Sequence, residues 1–446
     1  MHKNLSHPDV LARGAQEQPA SAGSAQPSWL TTPLARLVAC ALAGAFLHLV
    51  LWQISEPPDL FSDLYKAYFP AAEVLWDDGF SASFPFTEIG AGGFVNVPVL
   101  AWLFVPLVPL GEETAGWVFL AIGAGVTALA CLLLRRSARP GTEAAPLLLL
   151  FLVNGPLVNS LREGNTTHFV LLLLILALIM LQRGSDFAAG VLLGLCAAIK
   201  LPLLLYGAYF LLRRRWMVVA GGASAICGIL LLSVAAFGLG NNINWFNCCV
   251  EPFLGGIIPA FNVQSVDGFL VRLFTGTSRL ADWDPMSVPM VYRVVRQGLF
   301  AACLGYVAWL MLRAGASSPG LPRAEAGRER EMLEFALVLN LALVLSPISW
   351  SHYYALLLLP WGLYLGGQLP WPADILTRRL LWSSMVLCSL PVVVLPLRAD
   401  LIGEIAARTL VSACFVGGVA MLVALMRQLY RLGTSPDLSA RGTVRS

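Results

Sequence analysis

The chain has 446 residues, of which 57% are hydrophobic and only 12% charged, and its mean hydropathy is +0.73. A soluble domain of this size carries roughly twice that charge fraction, so the composition excludes a water-soluble globule and makes lipid the solvent for much of the surface. The net charge of +3 gathers into no nucleic-acid patch, and the nine scattered cysteines contain no CxxC pair, which argues against a zinc, redox or disulfide framework.

Residues 1–33 are polar and rich in Ala, Ser, Gln, Gly and Pro. They lack an apolar core with a cleavage site, so they read as a disordered cytoplasmic tail and not as a signal peptide. Twelve apolar runs follow, at 34–53, 95–110, 115–134, 145–161, 167–182, 187–212, 217–239, 291–312, 332–347, 353–369, 379–397 and 405–427. Backbone groups in hydrocarbon must be satisfied internally, so all are expected to be helical. The reading is an all-α, polytopic integral membrane protein with about twelve transmembrane or re-entrant helices. Its membrane domain is expected over 34–428, with outer loops at 54–94 and 240–290, interfacial helices at the outer face, and a cytoplasmic tail at 429–446.

Arginines set the orientation. Arg213 to Arg215, Arg313 to Arg330, Arg378-Arg379 and Arg427 to Arg431 fall in short basic segments that belong inside. Twelve full spans would then leave Arg135-Arg136 outside, against that rule. The conflict disappears if 95–110, with Pro98, Pro106 and Pro109, only dips into the membrane and 187–212 breaks into two half-helices at Lys200-Leu201-Pro202. The second arrangement also moves Arg162 to Asn165 and Lys200 to the outer face.

Four patches carry chemistry. In Ser62-Asp63-Leu64-Tyr65-Lys66-Ala67-Tyr68, helical spacing places Asp63 and Lys66 on one face and Tyr65 and Tyr68 beside it. A carboxylate there would meet both a lipid-anchored substrate and a polar acceptor, although an acidic loop also carries solvated carboxylates. The polar stretch Arg162-Glu163-Gly164-Asn165 interrupts two apolar runs. Charges so placed are costly unless they pair or bind something, yet the stretch also reads as a connecting turn. Lys200 lies at least twelve residues from either polar flank, too deep to snorkel easily. It suits a phosphate, or a buried carboxylate such as Glu163. Ser346-Pro347-Ile348-Ser349-Trp350-Ser351-His352-Tyr353 offers an imidazole and a phenol at the outer face, where aromatic belts also form. The loop around Gln264 adds amides, a weaker signal. No Walker loop, HExxH or GxSxG is present, and there is no room for a soluble nucleotide-binding domain. Neither a cofactor nor a metal is expected.

In order along the chain, these patches resemble glycosyltransferase family 87 of the GT-C superfamily. The residues are Asp63, Tyr65, Tyr68, Ala71 and Ala72; Pro156 with Gly164-Asn165; Gly190, Gly194, Lys200 and Pro202 followed by Arg213 to Arg215; and Ser346, Pro347, Trp350, His352 and Tyr353. Each motif is short and degenerate, and the similarity covers roughly residues 35 to 400. The family pattern carries glutamine where this chain has Asn165. The resemblance implies a GT-C-type helix bundle in a cell (inner) membrane, with its active site facing the periplasm or exterior. It implies an inverting transfer of a sugar, mannose by default, from a polyprenyl-phosphate carrier to a hydroxyl of a glycolipid or glycan. Asp63 would be the base. Tyr65, Tyr68, Arg162, Asn165, Lys200, Gln264, His352 and Tyr353 would bind substrate, with membrane lipid as a partner and no nucleic acid. A phosphate is already a good leaving group, so cations that hold it matter more than a strong acid. The competing reading is a transporter or flippase for a lipid-linked sugar, for which Lys200 at a broken helix would bind substrate.

Overall fold

The computed structural model describes residues 60–77, 94–252, 256–313, 323–390 and 401–434. The expected first span at 34–53, the N-terminal tail and much of the acidic loop 54–94 lie outside these residues. Among the described residues the chain is helical, with no strand beyond the isolated bridges Ile257–Met286 and Val263–Trp350.

Fifteen α-helices are described. In chain order they are α1 (Phe69–Asp77), α2 (Glu112–Ser137), α3 (Ala145–Val153), α4 (Gly155–Arg162), α5 (Thr167–Gln182), α6 (Asp186–Ile199), α7 (Leu205–Leu212) and α8 (Trp216–Trp245). Then come α9 (Val266–Thr275), α10 (Met290–Arg313), α11 (Arg323–Leu345), α12 (Leu358–Leu365), α13 (Ile375–Ser389), α14 (Leu401–Arg408) and α15 (Ala413–Thr434). Among the described residues, four stretches are long and apolar enough to cross a membrane: Glu112–Ser137, Trp216–Val250, Met290–Arg313 and Leu401–Leu432. A fifth is the pair α3–α4, bent by 51°. The bend falls at Asn154-Gly155-Pro156, where proline interrupts backbone bonding and the Asn154 side chain caps α4 by accepting from Leu157 N at 2.9 Å. The chain is an integral membrane protein.

The run 95–110 is not a long helix. Its prolines split it into two six-residue 3-10 segments, Pro98–Leu103 and Val105–Leu110. The run 187–212 is broken as well: α6 stops at Ile199, Lys200 is extended (φ −132°, ψ 92°), and a 3-10 turn at Leu201–Leu204 leads into α7. Pro202 disfavours helical backbone before it and has no N–H to continue α6.

Ion pairs show where the two arms lead. Arg215, just past α7, grips Asp186 at the start of α6 at 2.5 Å and Glu331 of α11 at 2.8 Å. Both arms of the hairpin therefore leave from one end of the bundle, with Lys200 at the opposite tip. The same end holds Arg213 with buried Glu334, Arg139 with Glu329 (3.2 Å), and Arg139 N bonded to Gly366 O (2.8 Å). Arg135 and Arg136 thus share an end with Arg213 to Arg215, as the second sequence arrangement requires. Further round, Asp374 caps α13 and pairs with Arg427 (3.3 Å) and Arg431 (2.5 Å).

Packing around the hairpin depends on small residues. A methyl group on Gly190 would collide with the Val218 carbonyl, and one on Gly221 with that of Phe187, so α6 and α8 touch backbone to backbone. The main core lies under α5, α11 and α12, where Phe335, Tyr354 and Trp361 are fully buried.

Candidate active site

Four connections meet at the end of the bundle opposite the arginines. The first is the turn before α1, which carries Asp63. Phe61 N donates to Arg162 O (2.8 Å), and Asp63 N to Glu163 O (2.9 Å), so the turn is laced to the end of α4. Phe61 has φ 61°, a costly left-handed conformation for a bulky residue, held by these bonds and by complete burial of its ring. Residues Leu64–Tyr68 then form a π-turn, a local widening frequent at functional sites. It separates two residues that regular helical spacing would place together: Asp63 turns inward, whereas Lys66 is exposed.

The second connection joins α4 to α5. Gly164 has φ 66°, and a side chain there would press on Leu64 Cβ at 2.8 Å, so glycine is needed for both conformation and space. The turn aims Asn165 at two partners. Its Oδ1 accepts from Thr167 N (3.0 Å), Thr167 Oγ1 (2.8 Å) and Lys200 Nζ (3.1 Å), while its Nδ2 donates to Asp63 Oδ2 at 2.5 Å. Three donors on one side of the amide and a carboxylate on the other fix its orientation.

The third is the hairpin tip. Lys200 is 5% exposed, and its ammonium lies 4.4 Å from the centre of the Tyr353 ring, a cation–π distance. The fourth is the 3-10 segment Ser351–Leu357, held by Ser351 N to Asn262 O at 2.7 Å and by Asn159 Nδ2 to Ser351 Oγ at 3.4 Å. It brings buried His352 against Glu163, Nδ1 to Oε2, at 3.1 Å.

Asp63, Asn165, Lys200, His352 and Tyr353 thus form one network, with Glu163 as a sixth member. Tyr68 lies beside it, stacked on Phe104 at 4.6 Å. Arg162 pins Phe61 through its carbonyl, and its Nε is buried with no hydrogen-bond partner among the described residues. Tyr65 turns away, packing edge-on against Phe61 at 5.5 Å and close to Gly116. Gln264 is buried and spent on backbone: it donates to Phe261 O and Val411 O, and accepts from Phe415 N. It braces the loop 256–265 and does not reach the network. Lys200 uses Asn165 as its hydrogen-bond partner and not Glu163.

Glu163 was legible as a charge in an expensive place and as a carboxylate for Lys200, not as the partner of His352. Its pairing with His352 needed the fold, because nothing in the sequence brings α4 to the segment before α12.

The electrostatics follow from crowding. The Asp63 carboxyl is pushed above the usual aspartate range, first by burial and next by the Glu163 carboxylate, against the opposing pull of His352, Asn165 and Lys200. Burial keeps His352 neutral, and the Lys200 charge acts in the same direction. Asp63, Glu163 and His352 each offer one ligand atom, all within 4.8 Å of one another, so these three are the residues that would hold a divalent ion. As it stands, the arrangement offers a base beside a fixed ammonium, and an imidazole steadied by a carboxylate.

The family model for glycosyltransferase family 87 matches residues 94–347, more than half of the chain. The chain belongs to glycosyltransferase family 87. Among curated proteins, this family 87 chain is similar to the polyprenol-phosphate-mannose-dependent alpha-(1-2)-phosphatidylinositol pentamannoside mannosyltransferase of Mycolicibacterium smegmatis (strain ATCC 700084 / mc(2)155). The two are 31% identical over 208 residues, which is 46% of this chain and 43% of that protein, so the match spans less than half of the relative. Among solved structures it is similar to ArnT from Cupriavidus metallidurans bound to undecaprenyl phosphate. The TM-score is 0.43 at 13% identity, covering 89% of this chain and 76% of that one, a likeness too distant to carry an argument.

Proposed function

We propose that this protein is an inverting glycosyltransferase that moves a sugar, mannose by default, from a polyprenyl-phosphate carrier to a hydroxyl of a glycolipid or glycan on the outer face of the membrane. The observation that carries the reading is the link Asp63–Asn165–Lys200, a carboxylate and an ammonium held one amide apart. Asp63 takes the proton of the acceptor hydroxyl as that oxygen attacks the anomeric carbon. Lys200 and His352 face the carrier phosphate and stabilise the charge that grows on it as the bond to the sugar breaks. Arg162 adds a further cation beside them. The transition state has oxocarbenium character, so the base accepts its proton late and needs no extreme pKa. Asn165 keeps base and cation in register, and Tyr353 lies along the ammonium.

Family membership supports the reaction class. The mannose donor and glycolipid acceptor are carried over from the relative's printed activity and from the resemblance in the motifs. The placement of Asp63, Lys200 and His352 at one end of the bundle supports an enzyme that meets both substrates at one face.

Purified protein is offered polyprenyl-phosphate mannose and a lipid extract of the host membrane, and label is followed into the extract. The expected outcome is transfer from the mannose donor, greatly reduced by Lys200→Met. Transport of the lipid-linked sugar across liposomes with no transfer from any such donor would overturn the proposal in favour of a flippase.

A further inference from the structure

Beside the network, at the same end of the bundle, the chain around α9 carries a feature that the transfer scheme does not use. The arms 256–263 and 280–286 lie antiparallel. Ile257 N donates to Met286 O at 3.1 Å, Met286 N returns to Ile257 O at 2.8 Å, and Phe261 N donates to Leu280 O at 2.9 Å. A methyl group on Gly256 would meet Pro285 Cβ at 2.6 Å, so the arms touch. Trp283 stands on this ribbon and is 40% exposed. Its Nε1 donates to Asn262 Oδ1 at 3.0 Å, and the Phe261 ring packs against it at 77°, with centroids 6.0 Å apart. The indole is therefore held in place with its polar edge already bonded. The carbonyl of the same Asn262 accepts from Ser351 N at 2.7 Å, one residue before His352. The ribbon is thus tied to the candidate active site.

Charged side chains flank the indole along the chain. Asp282 accepts from Asp284 N at 3.0 Å with one oxygen and lies 3.6 Å from Arg279 with the other, while Asp284 is exposed. Two carboxylates against one guanidinium leave a net negative charge. An aromatic face fixed beside carboxylates suits a sugar. The face carries the negative part of the ring quadrupole and attracts the C–H bonds along one side of a pyranose. A carboxylate accepts from the sugar hydroxyls in charge-assisted bonds. Tryptophan also anchors proteins at membrane interfaces. There a phosphate headgroup would meet the negative charge and be repelled, so the charge favours the neutral, hydroxyl-bearing ligand.

We propose that Trp283 and Asp284 form an acceptor subsite, which seats a sugar other than the one being glycosylated. This deepens the function proposed above and rests on it: the acceptor is a glycan or glycolipid of two or more sugars. One sugar brings its hydroxyl to Asp63, and a sugar further along the acceptor stacks on Trp283. Asn262 and Ser351 fix the spacing between the two positions. Contact at the remote ring orients the reacting one, so its loss lowers kcat/KM for the acceptor while the donor contacts stay in place.

The test is transfer by the full-length protein from polyprenyl-phosphate mannose to octyl glycosides of one, two and three mannoses. The readout is the ratio of kcat/KM between the best longer acceptor and the single mannoside. In the parent this ratio is expected to be about ten or more, and Trp283→Ala is expected to bring it near one. Trp283→Phe keeps an aromatic face and is expected to retain part of the preference, which keeps the test decisive should the alanine variant fold poorly. Trp283→Leu keeps an apolar anchor for lipid without that face, and is expected to lose the preference. No preference in the parent, or a preference that survives in Trp283→Ala, overturns this inference alone. So does full preference in Trp283→Leu, which would assign the indole to the membrane. Transfer from this donor to none of the three glycosides overturns the donor and acceptor assignment itself.

Discussion

Asn165 joins Lys200 to Asp63 because the left-handed turn at Gly164 and two bonds from Thr167 to its side-chain oxygen fix the amide between them. Little of this was visible in the sequence. Asp63, Lys200 and His352 stood out as charges or an imidazole where apolar surroundings make them costly, which is a property of each residue alone. Which of them touch depends on four connections meeting at one end. Tyr65, and on a weaker signal Gln264, looked eligible by type and place, yet one packs against α2 and the other is consumed by backbone. A pH dependence follows at this scale. The base must be ionised, and burial and Glu163 hold the Asp63 carboxyl above its ordinary range. Transfer is therefore present at neutral pH and lost on acidification at a pH above the roughly 4 of a free aspartate. Asn165→Ala removes a bond that favours the ionised form, so the acid limb of kcat/KM is expected to move to higher pH. A limb at the ordinary position, or one that moves down in the variant, contradicts the assignment.

At the scale of elements, the hairpin of α6 and α7 does the positioning. Its sequence signals were plain: small residues on one face, then Lys200-Leu201-Pro202, then three arginines. Proline forbids continuing the helix, and the arginine at the far end pairs with Asp186 where the hairpin began. The signal for 95–110 was ambiguous, because apolar content alone does not separate a span from a re-entrant segment; its three prolines gave the answer locally. The backbone contact between α6 and α8 predicts a specific sensitivity. Gly190→Val forces the two helices apart and is expected to destabilise the fold by about 3 kcal/mol, read as a lower melting midpoint in detergent. Gly207, with open space around its Cα, is the control: Gly207→Ala leaves the midpoint near that of the parent. Equal melting of Gly190→Val and the parent would show that the helices do not meet in this way.

Over the whole molecule, arginine placement and the candidate network divide the bundle into two ends. The all-helical membrane architecture followed from composition, because lipid leaves few alternatives for the backbone. Topology was less legible, since a re-entrant pair changes the parity of every later segment. It became readable through Arg215–Asp186 and Arg139–Glu329, which tie distant stretches to one end. In a cysteine-free background, cysteines at Arg183 and Arg214 are expected to react with an impermeant maleimide from the same side of sealed vesicles, and one at Glu112 from the other. Labelling of positions 183 and 214 from opposite sides would rule out the hairpin.

The central claim is that Asp63 is the base of a sugar transfer whose donor is held by other groups. The direct measurement compares parent and Asp63→Asn for donor affinity and for transfer, at equal yield and melting midpoint, with Asp59→Asn as a neighbouring carboxylate control. The account predicts that Asp63→Asn binds polyprenyl-phosphate mannose within a few-fold of the parent while transfer falls by at least about 100-fold, and that Asp59→Asn is mild. Transfer by Asp63→Asn at near the parent rate would contradict it.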